Sequence, residues 1–142
     1  MIKSLIFFLL ILALGSIISS YLEYLERKER RKRLSGRLAV SISDNYKMLN
    51  LQDIDFEDFI FALERVAQVL HIEMKDINIT DKLSVYEVDI PFLIDSDTDT
   101  LISKISECEL FKNIGSINEI LIRDIIICII ELNIDTKKRN NK

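Results

Sequence analysis

Leu5 to Ile18 read LIFFLLILALGSII, and Tyr21 to Leu34 read YLEYLERKERRKRL. These two adjoining stretches decide the organisation of the chain. The first continues through Ser19, Ser20, Tyr21 and Leu22 without a charge. At about 1.5 Å per residue it spans roughly 27 Å as a helix, close to the thickness of a hydrocarbon core. Lys3 stands before it and can snorkel, and Tyr21 and Tyr24 fall where an interfacial aromatic belt is expected. The second stretch is made of good helix formers. Its acid-before-base pairs (Glu23 with Arg27, Glu26 with Arg30, Glu29 with Arg33) favour one continuous helix. Residues 1–22 therefore read as a transmembrane anchor and 23–37 as a basic juxtamembrane helix.

Charge gives the direction. Arg27, Lys28, Arg30, Arg31, Lys32, Arg33 and Arg37 come after the apolar run, whereas only Lys3 and the amino terminus precede it. The positive-inside rule then places the C-terminal side of the span in the cytoplasm, with the bases at anionic lipid headgroups. The competing interpretation is a cleaved signal peptide, for which Ala13-Leu14-Gly15 loosely offers a site. A dense basic cluster directly after the apolar run opposes that. Ser35-Gly36 is the natural break, and residues 38–50 read as a linker.

Residues 44 to 135 carry 20 acids and seven bases. So acidic a domain repels phosphate backbones, which excludes nucleic acid as its partner. Pro appears once and Gly three times, which favours helices over a loop-rich β fold. Phe56, Phe59, Ile60, Leu63, Val66, Ala67 and Leu70 fall on one face of a helix over 53–70. His71 closes it. Residues 72–97 form a long connection pinned by apolar plugs (Ile77, Ile79, Leu83), with a short helical turn near Ser84. A second helix is expected over 98–112. Ser116-Ile117-Asn118-Glu119 has the form of a capping box opening a last helix to about Leu132, although its β-branched content leaves a strand open. The domain is thus mainly α over 51–134, a small three- or four-helix bundle whose core unites Leu63, Val66, Leu70, Ile105, Ile120 and Ile125. The tail 135–142 is expected to be disordered.

Little in the sequence carries chemistry. There is one histidine, no phosphate-binding glycine loop and no nucleophile–base pair at recognisable spacing. Cys108, Cys128 and His71 lack metal-ligand spacing, so no metal site is expected and the cysteines read as buried small apolar groups. Asp95 to Asp99 invites a calcium reading. Counted from Asp95, however, the glycine and glutamate positions of a calcium loop hold Thr100 and Ser106.

From Phe59 onward about 75 residues resemble an acyl carrier protein. Val69-Leu70-His71-Ile72 stands where carriers have Leu-Gly-Ile or Leu-Gly-Val. Ile77 and Leu83 come at the carrier's spacing, Asp95-Ser96 matches its Asp-Ser, and Ser116-Ile117 its last helix start. The resemblance implies a small helical bundle with phosphopantetheine on Ser96. Carriers have Leu after that serine, where this chain has Asp97. The alternative is that Ser96 only shapes a turn while Asp97 caps the helix.

The sequence points first to a single-pass membrane protein whose cytosolic domain is a non-catalytic binding or adaptor module for a protein partner. A membrane-tethered carrier modified at Ser96 is a second expectation. An immunity or regulatory protein that neutralises a basic partner is a third.

Overall fold

In the computed structural model the described residues are 2–51, 53–88, 96–106, 108 and 119–140. Among them the chain is mainly helical. Helix α1 spans Ile2–Leu34, 33 residues and roughly 50 Å without a break. It is long and apolar enough to cross a membrane, and none of its apolar window is buried by the rest of the chain. The basic stretch continues the same helix, as its i,i+4 pairs predict. The helix stops where Ser35 Oγ donates to the Lys32 carbonyl at 2.8 Å and Arg37 N–H to that of Leu34 at 3.0 Å. Arg31, Lys32 and Arg33 occupy its last turn, where cations complement the helix dipole.

Residues 38–50 are not only a linker. Helix α2, Ile42–Leu49, lies within them. Ser41 caps it by accepting the Asp44 N–H at 3.0 Å, and Asn50 ends it with a left-handed φ of 49°. Ile42, Tyr46 and Leu49 turn to the core at helical spacing, and Leu49 is fully buried. The domain therefore begins before residue 51.

Helix α3, Phe56–Leu70, is the central element and packs against α2 and the two later helices of the domain. Of the face read from the sequence, Phe59, Leu63, Val66, Ala67 and Leu70 are buried, joined by Ala62, whereas Ile60 is half-buried and Phe56, at the first turn, is exposed. It ends in a Schellman arrangement: Ile72 N–H reaches the Ala67 carbonyl at 3.1 Å and His71 N–H that of Gln68 at 3.3 Å. His71 takes the left-handed conformation, φ 53°, that this closure requires.

The connection after α3 is ordered by its plugs. Single 3₁₀ turns at Met74–Asp76 and Leu83–Val85 bring Ile77, Ile79 and Leu83 into the core. Asn45 holds this segment to α2: its amide donates to the Ile77 carbonyl at 2.8 Å and accepts the Ile79 N–H at 3.2 Å.

Helix α4, Ser96–Ile105, starts two residues earlier than expected and is shorter. Helix α5, Ile122–Asn140, is a helix and not a strand. Its free amides explain the late start: Ile122 N–H donates to the Asp81 carbonyl and Arg123 N–H to that of Ile79, both at 2.9 Å. An isolated antiparallel bridge, Lys82 to Leu121, accompanies them. Helix α5 also runs past Leu132 into the expected tail, as far as Asn140. Of the expected capping box at 116–119, residues 116–118 lie outside the described residues, as does the glycine stop at 115. Leu63, Val66, Leu70, Ile105, Ile120 and Ile125 are buried in one cluster, which also receives Leu34 from α1.

Candidate functional site

The charges of α1 build the most organised polar site. Arg30 is 1% exposed, and so is Glu26 one turn before it. The Arg30 guanidinium donates to Glu26 Oε1 at 2.7 Å, Asp97 Oδ2 at 2.8 Å, and the carbonyls of Leu70 and Tyr86 at 2.8 Å each. These partners beyond α1 come from the end of α3, the start of α4 and the connection between them. A planar five-donor cation is the side chain able to bind so many acceptors at once. Asp97 is also approached by Arg27 Nε at 4.0 Å and His71 Nε2 at 3.8 Å.

Arg30 is therefore not available to lipid headgroups, a correction to its expected role. The remaining bases divide. Arg27 pairs with Glu23 at 3.5 Å, and Lys28 is exposed. Lys32 faces Glu29 at 3.8 Å. Arg31 leans towards the His71 carbonyl at 3.4 Å, and Arg33 donates to the Glu87 carbonyl. Arg37 forms a bidentate pair with Asp81 at 2.9 and 2.7 Å. Burial opposes the charge of Arg37, but the hydrogen bond and charge of Asp81 outweigh it and raise its pKa.

Asp81 also accepts from the buried Tyr86 hydroxyl at 2.7 Å, and that oxygen accepts the Asn78 N–H at 3.0 Å. Burial, then the bond to Asp81, pushes the Tyr86 phenol well above its ordinary value. The stem thus ends in two anchors, Arg30 on Asp97 and Arg37 on Asp81.

Ser96 is the first residue of α4. Asp97 spends its carboxylate on Arg30, so it is no exposed calcium ligand. Among the described residues no cluster of His, Cys, Asp and Glu could hold a metal ion. Cys108 and Cys128 are free and buried. Burial, with Cys108 beside it, raises the Cys128 pKa, and Cys108 Sγ donates to Glu131 at 3.2 Å. Such thiols are inert.

A groove of about 610 Å³ opens between α3, α4 and α5. Phe61, Val69, Leu101, Ile129 and Leu132 give it an apolar floor. Arg65 and Lys104 are the charged residues on its described lining, and Arg65 stacks over Phe61 at 5.3 Å. A second cleft of about 620 Å³ at the stem junction is polar, and its cations are held by the pairs above and by Lys75 with Glu73 at 2.7 Å.

Sequence reasoning missed the Glu26–Arg30–Asp97 network and the groove. Glu26 and Arg30 were visible only as one i,i+4 pair among several. No protein-family model, curated protein or solved structure matches the chain.

Proposed function

We propose that the chain is a single-pass membrane protein whose C-terminal domain is a cytosolic, non-catalytic binding module held rigidly at the bilayer surface. The observation that carries this reading is the burial of Arg30 against three segments of the domain, in the same unbroken helix as the apolar span. A flexible tether needs no such network. Taking Leu22 as the end of the span, Arg27 and Lys28 lie roughly 7–9 Å beyond the hydrocarbon, at headgroup depth. Arg30 lies roughly 12 Å beyond it, where the domain begins. The headgroup role thus falls mainly to Arg27 and Lys28, and the outer bases fasten the domain.

The test is a reporter fused after Lys142, with a second version in which the stem bases other than Arg30 and Arg37 are moved before the span. A cytoplasmic signal that inverts on the charge transfer is expected. A native fusion that reports from the opposite side contradicts the reading.

Two observations favour a membrane-tethered carrier as a second reading. His71 holds a left-handed conformation where the carrier pattern has glycine, and Ser96 opens a helix. Co-expression with a broad-specificity phosphopantetheinyl transferase and intact-mass measurement of wild type and Ser96→Ala tests it. An adduct lost in the variant supports a carrier, and an unmodified wild type rejects it.

A further inference from the structure

We infer that the groove between α3, α4 and α5 is a docking site for an acidic amphipathic helix of a protein partner. The inference rests on the reading of the chain as a binding module and names the kind of partner. Three features lead to it.

The first is charge. Residues 44 to 135 carry 20 acids and seven bases, yet two of those bases, Arg65 and Lys104, sit on the groove lining, and no acid among the described residues does. They come from different helices, α3 and α4, and so flank the apolar floor from two sides. The nearest exposed acid on α3, Glu64, accepts from Gln68 at 3.3 Å. An acidic domain repels acidic partners over most of its surface, so a place of this kind gives specificity in addition to attraction.

The second is shape. The α3 wall is built from Phe61, Arg65, Gln68 and Val69, which repeat at helical spacing over roughly 12 Å. That length matches two turns of a helix with apolar residues at i, i+3 or i+4, and i+7, the usual anchors of helix-in-groove recognition.

The third is exposure of the floor. Phe61, Val69, Ile129 and Leu132 are only half-buried, although the same helices bury their neighbours completely. Covering such apolar surface is the main source of binding energy, and the two cations set its direction and partner choice.

The experiment uses the full chain in phosphatidylcholine nanodiscs, methyl-labelled at Ile, Leu and Val. The probe is a stapled amphipathic peptide of about three turns, Leu at the anchor positions and Glu elsewhere. A copy with Lys for Glu is the charge control, and oleate is the acyl-chain control. The acidic peptide is expected to shift the methyls of Val69, Leu101, Ile129 and Leu132 saturably. Arg65→Glu with Lys104→Glu is expected to weaken it about tenfold and to transfer preference to the Lys peptide. A milder variant, Arg65→Gln, is expected to weaken it less, and unshifted methyls elsewhere report that each variant is folded. Three results overturn the inference: no shift at these methyls, binding that ignores both charge changes, or oleate shifting the same methyls and displacing the peptide. A cytoplasmic reporter combined with an unshifted groove removes the groove alone and leaves the membrane-anchored reading standing.

Discussion

Arg30 sits where a charged side chain is most costly unless every donor is used. Its guanidinium meets two carboxylates and two carbonyls at 2.7 to 2.8 Å. Arg30→Ala leaves Glu26 and Asp97 buried without that cation, so it should cost about 3–5 kcal/mol. Chemical denaturation of the full chain in detergent measures this. Arg30→Lys should recover only part, because an ammonium cannot span the fork geometry. Tyr86 makes a different prediction. Its folded-state pKa is raised from an ordinary 10.0, so its stabilising contribution is present below about pH 10 and lost as pH climbs above it. Melting temperature should fall above pH 10 in wild type and fall less steeply in Tyr86→Phe. Equal slopes would show that the phenol does not matter to alkaline stability. Of the Arg30 geometry only the i,i+4 pair with Glu26 was legible beforehand. Its partners Tyr86 and Asp97 lie 56 and 67 residues away, and a run of seven bases looks uniform in a sequence.

At the scale of elements, periodicity and capping did most of what sequence can do. The face of α3 was legible because Phe59, Leu63, Val66 and Leu70 repeat at 4, 3 and 4, and all are buried. Helix α2 was also written in the sequence, as Ser41 capping Asp44 and Ile42, Tyr46 and Leu49 on one face, but at eight residues it was too short to stand out. The start of α5 was misplaced because two of its first amides, of Ile122 and Arg123, are satisfied by the distant carbonyls of Asp81 and Ile79, while Asp124 accepts the Leu121 N–H locally at 3.3 Å. The end of α3 yields a test. His71 holds φ 53°, which costs a residue with a Cβ roughly 1 kcal/mol and costs glycine little. His71→Gly should therefore be neutral or up to about 1 kcal/mol stabilising, and His71→Val should be destabilising. Thermal melts of the two variants decide it. A clear loss in His71→Gly would mean that the imidazole 3.8 Å from Asp97 matters more than the turn.

For the whole molecule, the apolar span and the domain are parts of one lever. The helix that is long enough to cross a membrane does not end with its apolar window; it continues to Leu34, which is buried in the domain core. This joins the orientation of the domain to that of the helix, and with it the direction in which the basic-rimmed groove faces. The sequence conveyed the two parts and their charges, but it did not convey that they are fastened, because that depends on contacts between residues far apart in the chain. The most direct measurement places spin labels at Lys28→Cys on α1 and Ser103→Cys on α4, with Cys108 and Cys128 replaced by Ala. Double electron–electron resonance is then recorded in nanodiscs. A single narrow distance distribution is predicted, broadening when Arg30→Ala is added. A broad distribution already present with Arg30 intact would contradict the account and leave the stem a flexible tether.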